Sequence, residues 1–371
     1  MKLLLLVLLS PTIVFSQYKL HIEVTDSTRH KGDTLFLAGS FNGWNPHDVS
    51  FRIVPDKTGS YVYENPSKPG MYEFKVTRGS WSNVEVTRTG NQIQNRFLRI
   101  SGDTSIRIYV GGWDDDFPHQ KKPVPSSASK NVKVTDTAFF IPQLDRRRRI
   151  WIYLPPGYAT SGSSYPVLYM QDGQNLFDNA TSGFGEWGVD EFLDSTIGSP
   201  KKQYIIVGID NGPKRLTEYN PYDSKQFGMG EGDKYVDFLV QTLKPFIDQR
   251  YRTKPSKKNT AVAGSSMGGL ISFYAVLKYA DIFGAAGIFS PAFWTASGLD
   301  NDIKIKAKKI RSKLFFYAGG KESENMISDM RKVETQVKSL SKSKIVEVID
   351  DDAHHNEAAW RKHFPEFYDW L

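Results

Sequence analysis

The sequence predicts an α/β fold with a mostly parallel sheet, preceded by a small all-β sandwich. Three observations carry that prediction. At 371 residues the chain is longer than one ordinary domain. Short apolar runs separated by Gly, Asn, Pro and Asp fill its first third, and beyond Phe139 apolar strands alternate with helical periods.

Residues 1–16 hold one Lys, the apolar run 3–9 and a small residue, Ser16, before Gln17, which is the pattern of a cleaved secretory signal. The apolar run is short and closely followed by Pro11, and no later segment approaches the roughly 20 apolar residues that a membrane helix needs. A secreted or periplasmic chain starting near Gln17, with no stable membrane span, is therefore expected. The sequence contains no cysteine, so no disulfide contributes.

Residues 17–112 contain the strand signals 20–24, 34–37, 72–76 and 106–110, spaced as in an antiparallel sandwich. Residues 113–135 have no hydrophobic period. They include Asp114-Asp115-Asp116 and Pro123-Val124-Pro125-Ser126-Ser127, and they read as a linker whose acidic triplet is a solvated turn, not a metal site.

Residues 136–371 form the second predicted domain. Strand signals at 150–154, 167–170, 204–209, 260–263, 285–289, 314–317 and 345–349 alternate with helical stretches, as a sheet covered on both faces requires. Val236, Leu239, Val240, Leu243, Phe246 and Ile247 define one apolar helix face, which Pro245 should kink or interrupt. The run Arg146-Arg147-Arg148-Arg149 enters a strand directly, so it is expected to be a solvated strand edge. The formal charge of +7 is otherwise dispersed, and no nucleic-acid site is predicted.

The chemistry-bearing element is Gly264-Ser265-Ser266-Met267-Gly268, a G-x-S-x-G string between a buried strand and a helical run. Flanking glycines allow the tight turn that projects a serine Oγ from a strand end, so Ser266 is the candidate nucleophile. A serine hydroxyl needs a base, and the chain order Ser, acid, His selects a histidine after the last strand. His354 and His355 both lie there, and His355 is the candidate base. The acid should follow strand 314–317, where Glu322 is preferred over Glu324. Two N–H donors are needed for the oxyanion. Met267 supplies one, and the loop Gln171-Asp172-Gly173-Gln174-Asn175 supplies the other through Gln174, with Gly173 taking a special backbone angle.

These residues resemble the putative-esterase family of α/β-hydrolases, which includes esterase D, feruloyl and acetylxylan esterases, enterochelin esterases and mycolyltransferases. The resemblance runs from about Arg149 to Leu371. It rests on Tyr153-Leu154-Pro155-Pro156-Gly157-Tyr158, the elbow at Ser266, Phe289-Ser290-Pro291-Ala292-Phe293-Trp294, and His355-Asn356-Glu357-Ala358-Ala359-Trp360. It implies an α/β-hydrolase fold, selects His355 over His354, and matches Gly320-Lys321-Glu322 to the family's acid. Many relatives carry His-Gly where this chain has Asp172-Gly173, so the oxyanion loop is a variant.

The first domain is similar to immunoglobulin-like starch- and glycogen-binding modules. Gly39-Ser40-Phe41-Asn42-Gly43-Trp44-Asn45-Pro46 resembles one signature, and Tyr72-Glu73-Phe74-Lys75 with Trp81 and Asn95-Arg96 resembles another. That similarity implies an α-glucan or other glycan bound by Trp44, Lys75, Trp81 and Asn95. The alternative is a docking domain whose tryptophans are core.

Taken together, the sequence is expected to encode a serine carboxylesterase acting on an acylated carbohydrate or other small ester, with no cofactor and no metal. A siderophore lactone esterase and a glycan-binding protein with an inert hydrolase domain are the alternatives.

Overall fold

The structure, a computed structural model, describes residues 18–371 apart from 27, 31, 43, 58, 94, 118–123, 197–201 and 225–227. The expected signal peptide lies outside the described residues. The chain divides into two compact units, residues 1–121 and 122–371.

The second unit is built on one eight-stranded sheet. Its strands are β1 (Val132–Ile141), β2 (Arg146–Tyr153), β3 (Val167–Gln171), β4 (Ile205–Ile209), β5 (Thr260–Ser265), β6 (Ala285–Phe289), β7 (Lys313–Gly319) and β8 (Lys344–Asp350). The spatial order is β1-β2-β4-β3-β5-β6-β7-β8, antiparallel at the first two pairings and parallel throughout the rest. Strands β3 to β6 are buried along their whole length because helices cover both faces of the sheet, which is why they read as continuous apolar runs. Two buried clusters, one on each face, form the core.

Strand β1 was not predicted. Most of its residues are exposed or half-buried, and an edge strand of that kind shows neither an apolar run nor strict alternation. The helix carrying Pro245 is interrupted as expected. Gly232–Phe238 and Lys244–Arg250 are α-helical, and the wider π-helical turn Leu239–Leu243 between them opens the backbone just before the proline ring.

The arginine run is not a solvated edge. Within β2, Arg146 pairs with Glu218 and Glu231, buried Arg148 pairs with Glu218, and Arg149 pairs with Asp210. Those partners come from segments remote in sequence, which a local reading cannot see.

The first unit packs a three-stranded sheet, ordered Tyr61–Ser67, Tyr18–Asp26, Thr104–Val110, against a four-stranded one, ordered Arg52–Ile53, Leu35–Gly39, Gly70–Thr77, Arg96–Ile100. Leu20, Ile22 and Ile108 of the first and Leu37, Val76 and Leu98 of the second share one core. The sandwich is not wholly antiparallel, because Tyr18–Asp26 runs parallel to Thr104–Val110. Nearly the whole unit separates those two strands, so no hairpin imposes the antiparallel sense.

The described residues of the expected linker 113–135 are built into the two units. Trp113 is fully buried in the first unit, with its indole N–H bonded to Asp26 and Thr28. Ser126, Ser127 and Ser129 bond Asp178, Glu186 and Asp190 of the second unit, and β1 begins at Val132. The acidic triplet is an ion-paired turn, with Asp115 held by Arg78 and Asp116 by Arg29 and His30.

Candidate active site

Three loops at the carboxyl ends of β5, β7 and β8 carry the predicted catalytic residues. Ser266 occupies the turn between β5 and the helix Met267–Lys278, with φ 57° and ψ −121°. A non-glycine residue rarely adopts this left-handed φ. The turn is pinned from both sides, since the Ser266 N–H donates to the Phe289 carbonyl (2.9 Å) and its carbonyl accepts from the Ala292 N–H (3.1 Å). Its glycines serve close approach. A Cβ on Gly264 would come within 2.8 Å of the Gly268 backbone, and one on Gly269 within 2.8 Å of the Phe289 carbonyl oxygen.

The loops after β7 and β8 are laced together. Gly320 N–H donates to the Asp350 carbonyl and Lys321 N–H to the Ala353 carbonyl. That contact brings Glu322 beside His355. The imidazole Nδ1 is 2.8 Å from Glu322 Oε2, so in the neutral tautomer it donates there and Nε2 is the unprotonated nitrogen. Glu322 is buried, whereas Glu324 and His354 are exposed. Asn356 caps the final helix, Glu357–Trp370, by accepting from the Ala359 N–H (3.0 Å), which fixes the chain just past His355.

Met267 is the first residue of the elbow helix and is buried. Gln174 lies in the short turn Gly173–Asn175 after β3, where its side-chain Oε1 accepts from the Asn211 N–H (3.1 Å) and its carbonyl accepts from Thr181 Oγ1 (2.8 Å). The special backbone angle falls on Asp172 (φ 58°) and not on Gly173. Gly173 is needed for another reason, because a Cβ there would sit 2.8 Å from the backbone of Gly208 and Ile209 in β4.

Sequence reasoning marked Asp172 as a variant but missed what holds it. Asp172 is gripped by Arg215, with Nε to Oδ1 at 2.7 Å and Nη2 to Oδ2 at 2.8 Å, and by Asn211 Nδ2 at 2.6 Å. Arg215 also reaches the Ser265 carbonyl (3.3 Å), joining the loop after β3 to the elbow. Glu357 was missed as well. It is buried two residues after His355, accepts from Asn175 Nδ2 (3.3 Å), and is pushed up to about 7 by burial. The variant Asp172-Gly173 was the signal for the first, and Glu357 stood in the His355–Trp360 motif with no role assigned to it.

In the first unit the structure brings Trp44 and Trp81 together, with ring centroids 6.3 Å apart, Trp44 at φ 61° and Trp81 exposed. The other two predicted sugar contacts face protein. Lys75 is buried, its ammonium bonded to the Ile93 carbonyl (2.7 Å), and burial lowers its pKa. Asn95 Nδ2 bonds Glu73 Oε2 (2.8 Å).

Residues 141–371 match the family described as "Putative esterase". The uncharacterized protein YbbA of Bacillus subtilis (strain 168) is 27% identical over 241 residues, spanning 60% of this chain and 92% of that protein. An endo-1,4-beta-xylanase/feruloyl esterase of Xylanibacter ruminicola is 26% identical over 316 residues, covering 83% of this chain but only 39% of its own length. Among solved structures, the enterobactin esterase of Shigella flexneri, determined with enterobactin, superposes with a TM-score of 0.54 at 16% identity. The match covers 91% of this chain and 87% of that one, and it shows a common fold.

Proposed function

The chain belongs to the putative-esterase family of α/β-hydrolases, and from that premise we propose that it is a secreted serine carboxylesterase working through an acyl-serine intermediate. The observation that carries the proposal is the buried Glu322 carboxylate on His355 Nδ1, set at the same end of the sheet as a serine in a strained elbow. His355 Nε2 takes the Ser266 Oγ proton as Oγ attacks the ester carbonyl carbon, and Glu322 stabilises the resulting imidazolium. The N–H groups of Met267 and Gln174 stabilise the tetrahedral oxyanion. The intermediate collapses as His355 protonates the leaving alkoxide, and water then repeats the sequence on the acyl-serine.

The substrate class we propose is an acylated carbohydrate of acetyl or feruloyl type. The feruloyl esterase likeness across most of the chain supports it, as does the pairing of Trp44 with the exposed Trp81, whose flat faces can stack on sugar rings. Trp81→Ala should then lose retention on an insoluble glycan, with ester turnover unchanged. A siderophore lactone is the second reading, supported by a fold likeness to the enterobactin esterase that covers nearly the whole chain.

The test compares p-nitrophenyl acetate turnover by wild type, His355→Ala and Glu322→Ala, followed by acetylated xylan and methyl ferulate against a catecholate trilactone. Loss of about 10²-fold or more in His355→Ala supports the mechanism. Full activity in that variant contradicts it. Cleavage of the trilactone alone would move the substrate to the second reading.

A further inference from the structure

The mechanism uses one oxygen of Glu322, and the other ends a buried chain of hydrogen bonds. Trp360 Nε1 donates to Ser290 Oγ at 2.9 Å, and Ser290 Oγ donates to Glu322 Oε1 at 2.6 Å. The Gly319 N–H also donates to Oε1, at 2.7 Å. Proton counting fixes the direction of the chain, because an indole nitrogen only donates and an ionised carboxylate only accepts. The single Ser290 hydroxyl proton must therefore point at Glu322. With Oε1 held by two donors, Oε2 is the atom turned to His355.

Ser290 is fully buried and sits at φ 44°, directly after β6. A serine is held in the left-handed region only when its surroundings impose it. Here the Ser290 N–H is fixed on the Tyr317 carbonyl (2.7 Å). Trp360 touches both ends of the chain, since its ring also meets the His355 imidazole edge-on, with centroids 5.1 Å apart.

Resting on the serine-esterase reading, we propose that Ser290 and Trp360 are positioning residues that act through Glu322, fixing its carboxylate so that Oε2 orients the His355 ring. Neither touches the ester. Their removal lowers kcat and leaves substrate binding in place.

A double-mutant cycle tests this with p-nitrophenyl acetate on the full chain. Ser290→Ala should lower kcat roughly tenfold, the scale of one hydrogen bond to a charged group, with KM within about twofold. In the Glu322→Ala background the same substitution should change kcat by less than about twofold, because the group it acts through is gone. Equal losses in both backgrounds, or no loss in the first, would overturn the proposal.

If Ser290→Ala does not fold, Ser290→Gly removes the hydroxyl at a backbone angle that glycine adopts freely, and Trp360→Phe removes the upstream donor. Ser266→Ala, run alongside, separates the two claims. If it keeps turnover, the serine mechanism itself is wrong and the positioning chain falls with it. If it loses turnover while the cycle is additive, only the positioning role is lost.

Discussion

Asp172 sets the geometry around it through both its backbone and its side chain. Its left-handed backbone starts the turn that presents Gln174, and its carboxylate ties that turn through Arg215 to the Ser265 carbonyl at the elbow. Asp172→Ala leaves the partly buried Arg215 guanidinium without its counter-ion, and removing one partner of such a pair costs roughly 2 kcal/mol, between the values for exposed and fully buried pairs. Denaturant unfolding should show a lowered midpoint, and kcat should fall as the oxyanion loop loosens. An unchanged midpoint would mean that the Asp172–Arg215 pair bears no structural load. This pair was not legible in the sequence, since 43 residues separate its members and nothing local marks Arg215 as their meeting point. The same holds for Ser290 and Trp360, 70 residues apart. Ser266, by contrast, was legible because the glycines that permit its turn are its neighbours in sequence.

At the scale of elements, the loops after β7 and β8 approach so closely that each works as part of the other. A Cβ on Gly319 would overlap the Ala353 carbonyl oxygen and lie 2.9 Å from Glu322 Oε1, and one on Gly320 would lie 2.6 Å from the Asp351 carbonyl oxygen. Backbone atoms cannot yield as a flexible side chain can. Gly319→Ala should therefore part the loops, separate Glu322 from His355 and reduce kcat by at least about tenfold. Wild-type kcat in this variant would show that the two loops are not a unit. The parallel strands β3 to β7 were legible as buried apolar runs between helical stretches, and β8, half-buried at the sheet edge, by its run 345–349. Strand β1 was not, because its exposed edge leaves polar residues at positions that carry the signal elsewhere. The tryptophan pair of the first unit was legible by its motif, whereas the inward turn of Lys75 depends on the Ile93 carbonyl, 18 residues along the chain.

Across the whole molecule, buried carboxyls set the pH dependence of stability. Glu357 is pushed from 4.5 to about 7 by burial, and Asp190 from 3.8 to about 7, also chiefly by burial. Between the ordinary and raised values the folded chain binds more protons than the unfolded chain, so stability falls as pH rises through that window toward 7. Asp350 works in the opposite sense. Its bonds to Lys362 and His363 hold it at about 2, so its contribution is present at neutral pH and is lost only as pH falls below 3.8 and through 2. The melting temperature should therefore be higher near pH 5 than near pH 8, and Glu357→Gln should flatten the difference. A melting temperature that rises from about pH 5 to about pH 8 would contradict this assignment. The most direct test of the whole account is peptide mapping after treatment with a fluorophosphonate, comparing wild type with Ser266→Ala. One adduct on Ser266 in the wild type, and none in the folded variant, is the predicted result. An adduct on another residue, or an unreactive folded wild type, would contradict the acyl-serine mechanism.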